Sequence, residues 1–191
     1  MARRVTLRIG LVALLLALVS TLVLADALDG MLAVRSAYVE LEHEVFTLHA
    51  RIEYPMSPAL VDALRDGVTL SFEVDARVAR ERHFWFDATV VELTLRRELA
   101  YHTVSDRYVV RDVRSSDQQT FATLDEALEF LSKIDGWPIL VQSQLTDGEH
   151  YRVSVRAGIR RGRLPASLRA LLFWTNDWHR TSGWFSWTLP S

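Results

Sequence analysis

The chain holds six histidines, His43, His49, His83, His102, His150 and His179. Imidazole is the side chain best placed for metal ligation or proton transfer near neutral pH. Their spacing serves neither purpose. No two stand in an H-E-x-x-H register, which would put both rings on one helix face. His49 falls on the polar parity of an alternating strand, which assigns it to solvent. His102, Asp106 and the serines supply the residue types of a hydrolytic triad, but almost any chain of this length does so, and geometry alone gives such a set meaning. Ser182-Gly183 lacks the flanking glycine of a nucleophile elbow. Glu40, Glu42 and Glu44 share one parity at an exposed strand end. Glycosidase chemistry needs two carboxylates facing across a cleft, whereas these three read as a solvated edge that discourages sheet-to-sheet association. The eight glycines are scattered, without a phosphate loop or dinucleotide fingerprint. With no cysteine, disulfides, thiolate metal sites and lipoprotein anchoring are excluded. The reading assigns no catalytic, metal or cofactor-binding residue.

The aromatic residues are more informative. Trp174, Trp178, Trp184 and Trp187 are four of the six tryptophans, joined by Phe173 and Phe185. On a strand Phe185, Trp187 and Leu189 share the inward parity. Trp184 takes the other, with Arg180 just upstream; Arg160, Arg161 and Arg163 approach it if the last two strands pair like a hairpin. An outward tryptophan beside guanidinium groups has the composition of an interface centre. Trp178, Arg180 and Trp184 are therefore the candidate binding residues. The competing reading makes Trp178 and Trp184 covers for the end of the fold.

These residues need a scaffold, and the chain opens with something else. Arg3, Arg4 and Arg8 precede an apolar run over residues 9–25, and Ala25-Asp26-Ala27 follows with small residues at cleavage spacing. Residues 1–25 read as a signal peptide, or as an N-terminal membrane anchor if uncleaved. Residues 26–191 read as one domain. The 22 basic and 24 acidic residues become 19 against 24 once three arginines leave, a net charge of −5. That balance and the lack of a basic aromatic groove argue against nucleic acid. Acids dominate from Asp26 to Asp75, and arginines from Tyr151 onward, which suggests two solvated faces that neutralise each other across the fold.

Period two dominates the mature chain. Phe46 to Tyr54, Leu70 to Val78 and Tyr151 to Ile159 alternate apolar with polar, the signature of antiparallel strands with one wet face. Further strands are predicted at Val34–Leu41, Phe84–Arg96, Arg107–Val113, Trp137–Leu145 and Gly183–Leu189. The Phe84–Arg96 run changes phase, which a bulge near Asp87–Val90 reconciles. Turns are predicted at Glu42-His43-Glu44 and Thr146-Asp147-Gly148. Ser57-Pro58 opens a short helix that Gly67 stops. Thr123 with Glu126 caps a second, which runs to Asp135-Gly136. The predicted fold class is mainly β: an antiparallel β-sandwich with two short amphipathic helices, preceded by the N-terminal signal or anchor helix.

Several segments also carry a resemblance. Leu64-Arg65-Asp66-Gly67-Val68 running into the Leu70/Phe72 strand, Arg82 with Trp85 and Asp87, Leu99-Ala100-Tyr101-His102, Tyr108, Phe121 with Leu124 to Leu128, Leu164-Pro165 with Leu168-Arg169, and Asp177-Trp178 through Ser182-Gly183-Trp184 occur in order. Behind the signal peptide, the mature chain resembles an exported proteobacterial family catalogued as domain of unknown function 4390. Members often show Leu-Ser-Tyr where this chain has Leu99-Ala100-Tyr101, and a second proline near Ser167. The resemblance implies export and brings no activity or site residues. Members are often encoded beside a membrane sensor kinase of the nitrogen-regulation type, which implies an envelope-sensing context by association alone.

Three functional readings stand in order. The first is a non-catalytic protein-interaction module of the periplasm, or of the inner membrane facing the periplasm if the N-terminal segment stays, with an envelope or membrane protein as partner. The second is a small-molecule or glycan-binding sandwich, for which a concave pocket lined by Trp178 and Trp184 would speak. The third is an envelope hydrolase. No cofactor is expected, no nucleic acid partner, and membrane contact only through the N-terminal segment.

Overall fold

The alternating segments pair into strands that the computed structural model describes over residues 31–82, 86–161 and 179–189. The expected export segment, Trp174 and Trp178 lie outside the described residues. In chain order the elements are β1 (Ala33–Glu42), β2 (Val45–Glu53), α1 (Pro58–Arg65), β3 (Leu70–Arg80), β4 (Ala88–His102), β5 (Arg107–Asp112), β6 (Gln118–Phe121), α2 (Leu124–Ser132), β7 (Lys133–Val141), β8 (Tyr151–Arg161), β9 (His179–Thr181) and β10 (Phe185–Thr188). All pairings are antiparallel. One sheet has the order β1-β2-β7; the other runs β10-β8-β3-β4-β5-β6, with β9 also on β8.

Period-two patterning decides which faces meet. Leu70, Phe72, Val74, Ala76 and Val78 of β3 are buried, as are Val153, Val155 and Ile159 of β8 and Leu48 and Ile52 of β2. They join in one hydrophobic core between the two sheets. The architecture is the expected antiparallel β-sandwich with two short helices.

Bulges explain where predicted boundaries shift. Val78 pairs with Val91 but Ala79 with Thr89, so Val90 is the extra residue that changes the phase of β4. The strand starts at Ala88 and continues to His102 instead of spanning Phe84–Arg96, and Phe86 stands exposed ahead of it. In β7, Leu48 opposes Trp137 and Ala50 opposes Ile134, which leaves Asp135-Gly136 as a bulge. Gly136 has φ +64°, where glycine costs least. That pair therefore does not stop the second helix. α2 ends at Ser132, β7 begins at once at Lys133, and a 3-10 turn at Gln142–Gln144 ends it before Leu145.

The remaining local signals behave as residue chemistry demands. Thr123 and Glu126 make both bonds of the capping box on α2. Pro58 opens α1, and Gly67 follows its end at φ +83°. His43 and Glu44 form the two-residue turn between β1 and β2, both with positive φ, a conformation that type I′ hairpins require and non-glycine residues adopt at a cost. β6 and β9 are too short to show a period in the sequence.

Candidate functional site

The wet face of the larger sheet is a ladder of opposite charges. Glu73 of β3 accepts from Arg96 on β4 and Arg160 on β8. Asp75 accepts from Thr94 and Arg156, each at 2.8 Å. Arg77 donates to Glu92 at 2.8 Å. Cross-strand pairs of this kind stabilise a sheet in the way that helix pairs stabilise a helix. Where the acidic first third and the arginine-rich last third meet, at Glu73–Arg160 and Asp75–Arg156, they do so between neighbouring strands on one face.

On the side of β8 away from β3, where β9 and β10 pair, the ladder meets Trp184. Gly158 opposes Thr181 and Val155 opposes Phe185. Ala157 and Arg156 therefore face three residues, Ser182, Gly183 and Trp184, which is a bulge. Ser182 fixes it: its backbone N–H donates to the Ala157 carbonyl at 2.8 Å, and its Oγ accepts from the Ala157 N–H at 2.9 Å. The strand predicted over Gly183–Leu189 is β10, Phe185–Thr188, and the bulge separates it from β9. Trp184 emerges on the charged face, with the Arg156 guanidinium 4.6 Å and the Arg77 guanidinium 5.2 Å from its ring centroid. The residue is 40% exposed. Phe185 and Trp187 are half-buried with rings 5.8 Å apart, and Leu189 is buried.

The expected neighbours of Trp184 are placed differently. Arg180 is exposed on β9, in register with core-facing Ile159, so it holds the parity opposite Trp184. Arg160 is engaged by Glu73. Arg161 closes β8. Arg163 and Trp178 lie outside the described residues. The guanidinium groups on the ring are Arg77 and Arg156, which sequence parity puts on one face but only strand order brings together.

Two clusters were not anticipated. His49, expected in solvent, has only 15% of its side chain exposed because it stacks on Tyr38, with centroids 4.9 Å apart and planes at 7°. Its Nδ1 lies 2.9 Å from Asp135 and its Nε2 3.7 Å from Glu40. Hydrogen bonds from Lys133 and His49 hold the Asp135 carboxyl below the usual carboxylate range. The second cluster surrounds Arg97, whose signal was present: it continues the inward parity of Val91, Leu93 and Leu95 and precedes buried Leu99. Elsewhere, Asp106 accepts from the Tyr101 hydroxyl at 2.7 Å, which raises that phenol's pKa, while His102 ends β4 exposed. Among the described residues no three His, Cys, Asp or Glu gather to hold a metal.

A family model described as Domain of unknown function (DUF4390) matches residues 30–188. The chain belongs to the DUF4390 family. The match runs from just before β1 to the last residue of β10, so the DUF4390 unit takes in both sheets, the charge ladder and Trp184. Searches of curated proteins and of solved structures find no match.

Proposed function

We propose that this DUF4390 protein is an exported, non-catalytic module that binds a partner protein of the cell envelope through the Trp184 face of its larger sheet. One observation carries the reading: a 40% exposed tryptophan is stacked on two arginines that carboxylates already hold in place. Such a ring is presented with its neighbours ordered beforehand, which lowers the cost of ordering them on binding. Tryptophan and arginine are the types that dominate interface energetics. The two cavities beside Arg97 are lined by other side chains and include neither Trp178 nor Trp184.

Export is supported by the three arginines, the apolar run and the Ala25-Asp26-Ala27 spacing at the N-terminus. It places the module in the periplasm, or on the periplasmic side of the inner membrane if that segment is retained. The sensor-kinase association that the resemblance implies would suit an envelope-sensing setting. The test is co-purification of tagged full-length protein from envelope extracts. Wild type captures a discrete partner that Trp184→Ala loses; equal capture by both removes the Trp184 assignment.

A further inference from the structure

Arg97 is a charged residue at an inward-facing position. It pairs in register with buried Phe72 on β3 and with Asp112 on β5. An inward guanidinium is costly unless its five N–H donors are met. Here they are met poorly. Nη1 has the carbonyls of Phe130 and Lys133 at 3.5 Å each, and Nε is 4.0 Å from Asp112. Asp112 is itself engaged by the backbone N–H groups of Arg114 and Ser115, at 2.8 and 3.2 Å. Burial pulls the Arg97 pKa below its ordinary value, yet a guanidinium remains cationic at neutral pH. Nearby Tyr54 is buried, and its hydroxyl has no hydrogen-bond partner among the described residues.

The guanidinium is not sealed in. It lies 4.8 Å from the Phe130 ring centroid and lines two adjoining cavities, of about 880 and 140 Å³, that also share Gln119 and Phe130. The larger volume is in the range of ligand sites. Its wall includes the tilted pair Phe121 and Phe130, centroids 5.4 Å apart. Carboxylates stand around it. Glu126 is used by the α2 cap, Glu129 by Arg51, and Asp135 by Lys133 and His49. Asp125 faces the larger cavity and Asp117 the smaller. The Thr123 hydroxyl accepts from the Glu126 N–H and the Glu126 carboxylate from those of Ala122 and Thr123, and Lys133 is engaged by Asp135, so Arg97 is the cationic donor left facing the groove.

We infer that the Arg97 groove binds a short peptide with a free C-terminal carboxylate. The carboxylate takes the unfilled donors of Arg97 as a charge-assisted, two-pronged hydrogen bond. An apolar terminal side chain lies against Phe121 and Phe130. The peptide's amino end meets the acidic rim at Asp125 or Asp117, which disfavours ligands that carry negative charge alone. This site is separate from the Trp184 face and does not depend on the reading given to that face.

The test is isothermal titration calorimetry of the purified full-length protein with the tripeptide Ala-Ala-Phe as free acid and as C-terminal amide. The free acid binds, and the amide binds roughly ten- to a hundredfold more weakly, the range expected for a lost hydrogen bond to a charged group. Arg97→Gln removes the preference for the acid, while Phe121→Ala weakens acid and amide by similar factors. Equal binding of the two peptides to wild type, or no binding of either at millimolar concentration, overturns the proposal. So does an Arg97→Gln protein that still prefers the acid. The acid-to-amide ratio on wild type decides the matter even if a variant fails to fold.

Discussion

Phe72 and Glu73 are neighbours in β3 with opposite fates, and truncating each to alanine measures the register of the central strand. Phe72 is 2% exposed and meets Tyr54 edge-on, with centroids 4.9 Å apart. An aromatic of this kind buries about 150–250 Å², and removing it leaves a cavity in addition to the lost transfer energy, so Phe72→Ala costs about 4 kcal/mol. Glu73 has 14% of its side chain exposed and accepts from both Arg96 and Arg160, whose side chains are 43% and 40% exposed. Period-two reasoning alone makes Glu73→Ala nearly neutral, within about 0.5 kcal/mol. The two guanidinium partners raise that figure; discounted for solvent screening, the expected cost is about 1 kcal/mol. Urea denaturation followed by circular dichroism reads both. The midpoint falls about four times further for Phe72→Ala than for Glu73→Ala, with the slope unchanged. Equal losses, or a larger loss at Glu73, would refute the assignment of Phe72 to the core face.

Trp184→Ala removes a ring that is partly exposed and stacked on two screened arginines, so it costs about 1–2 kcal/mol and lowers the thermal midpoint by roughly 2–8 °C; a loss of about 4 kcal/mol or more in the same melt would make it a core cap. Tyr54→Phe deletes a buried hydroxyl without a partner among the described residues, and chemical denaturation at pH 7 gives a variant as stable as wild type or up to about 1 kcal/mol more stable. Burial raises the Tyr54 pKa, so the folded state resists ionisation that the unfolded chain undergoes near pH 10. The corresponding stability is present below about pH 10 and lost as pH rises toward the folded pKa, and a stability profile over alkaline pH flattens in Tyr54→Phe. Thr123→Ala breaks the α2 cap and costs about 1 kcal/mol by the same denaturation assay.

Much of the fold was legible because each long strand has one wet and one dry face. The bulge at Val90 was readable as a phase change within a single segment. The bulge at Asp135-Gly136 was not, because a glycine after a capped helix reads equally well as a stop; the sequence does not reveal that β2 pairs there. The same limit governs the sites. Trp184 announced itself by parity, but its partners Arg77 and Arg156 come from distant segments that strand order brings side by side. His49 was misread for a related reason: Tyr38 covers it across a hairpin, and Asp135 reaches it from another strand. Arg97 could have been found from sequence, as a charge in an apolar register.

The proposed function has Trp184 contact a partner protein in the envelope. Replacing Trp184 with a photo-crosslinking benzoylphenylalanine in intact cells tests it directly, with the same replacement at Glu92 on the charge ladder as control. A discrete covalent adduct is expected from position 184 and not from position 92. Adducts from neither position, or the same pattern from both, would contradict it.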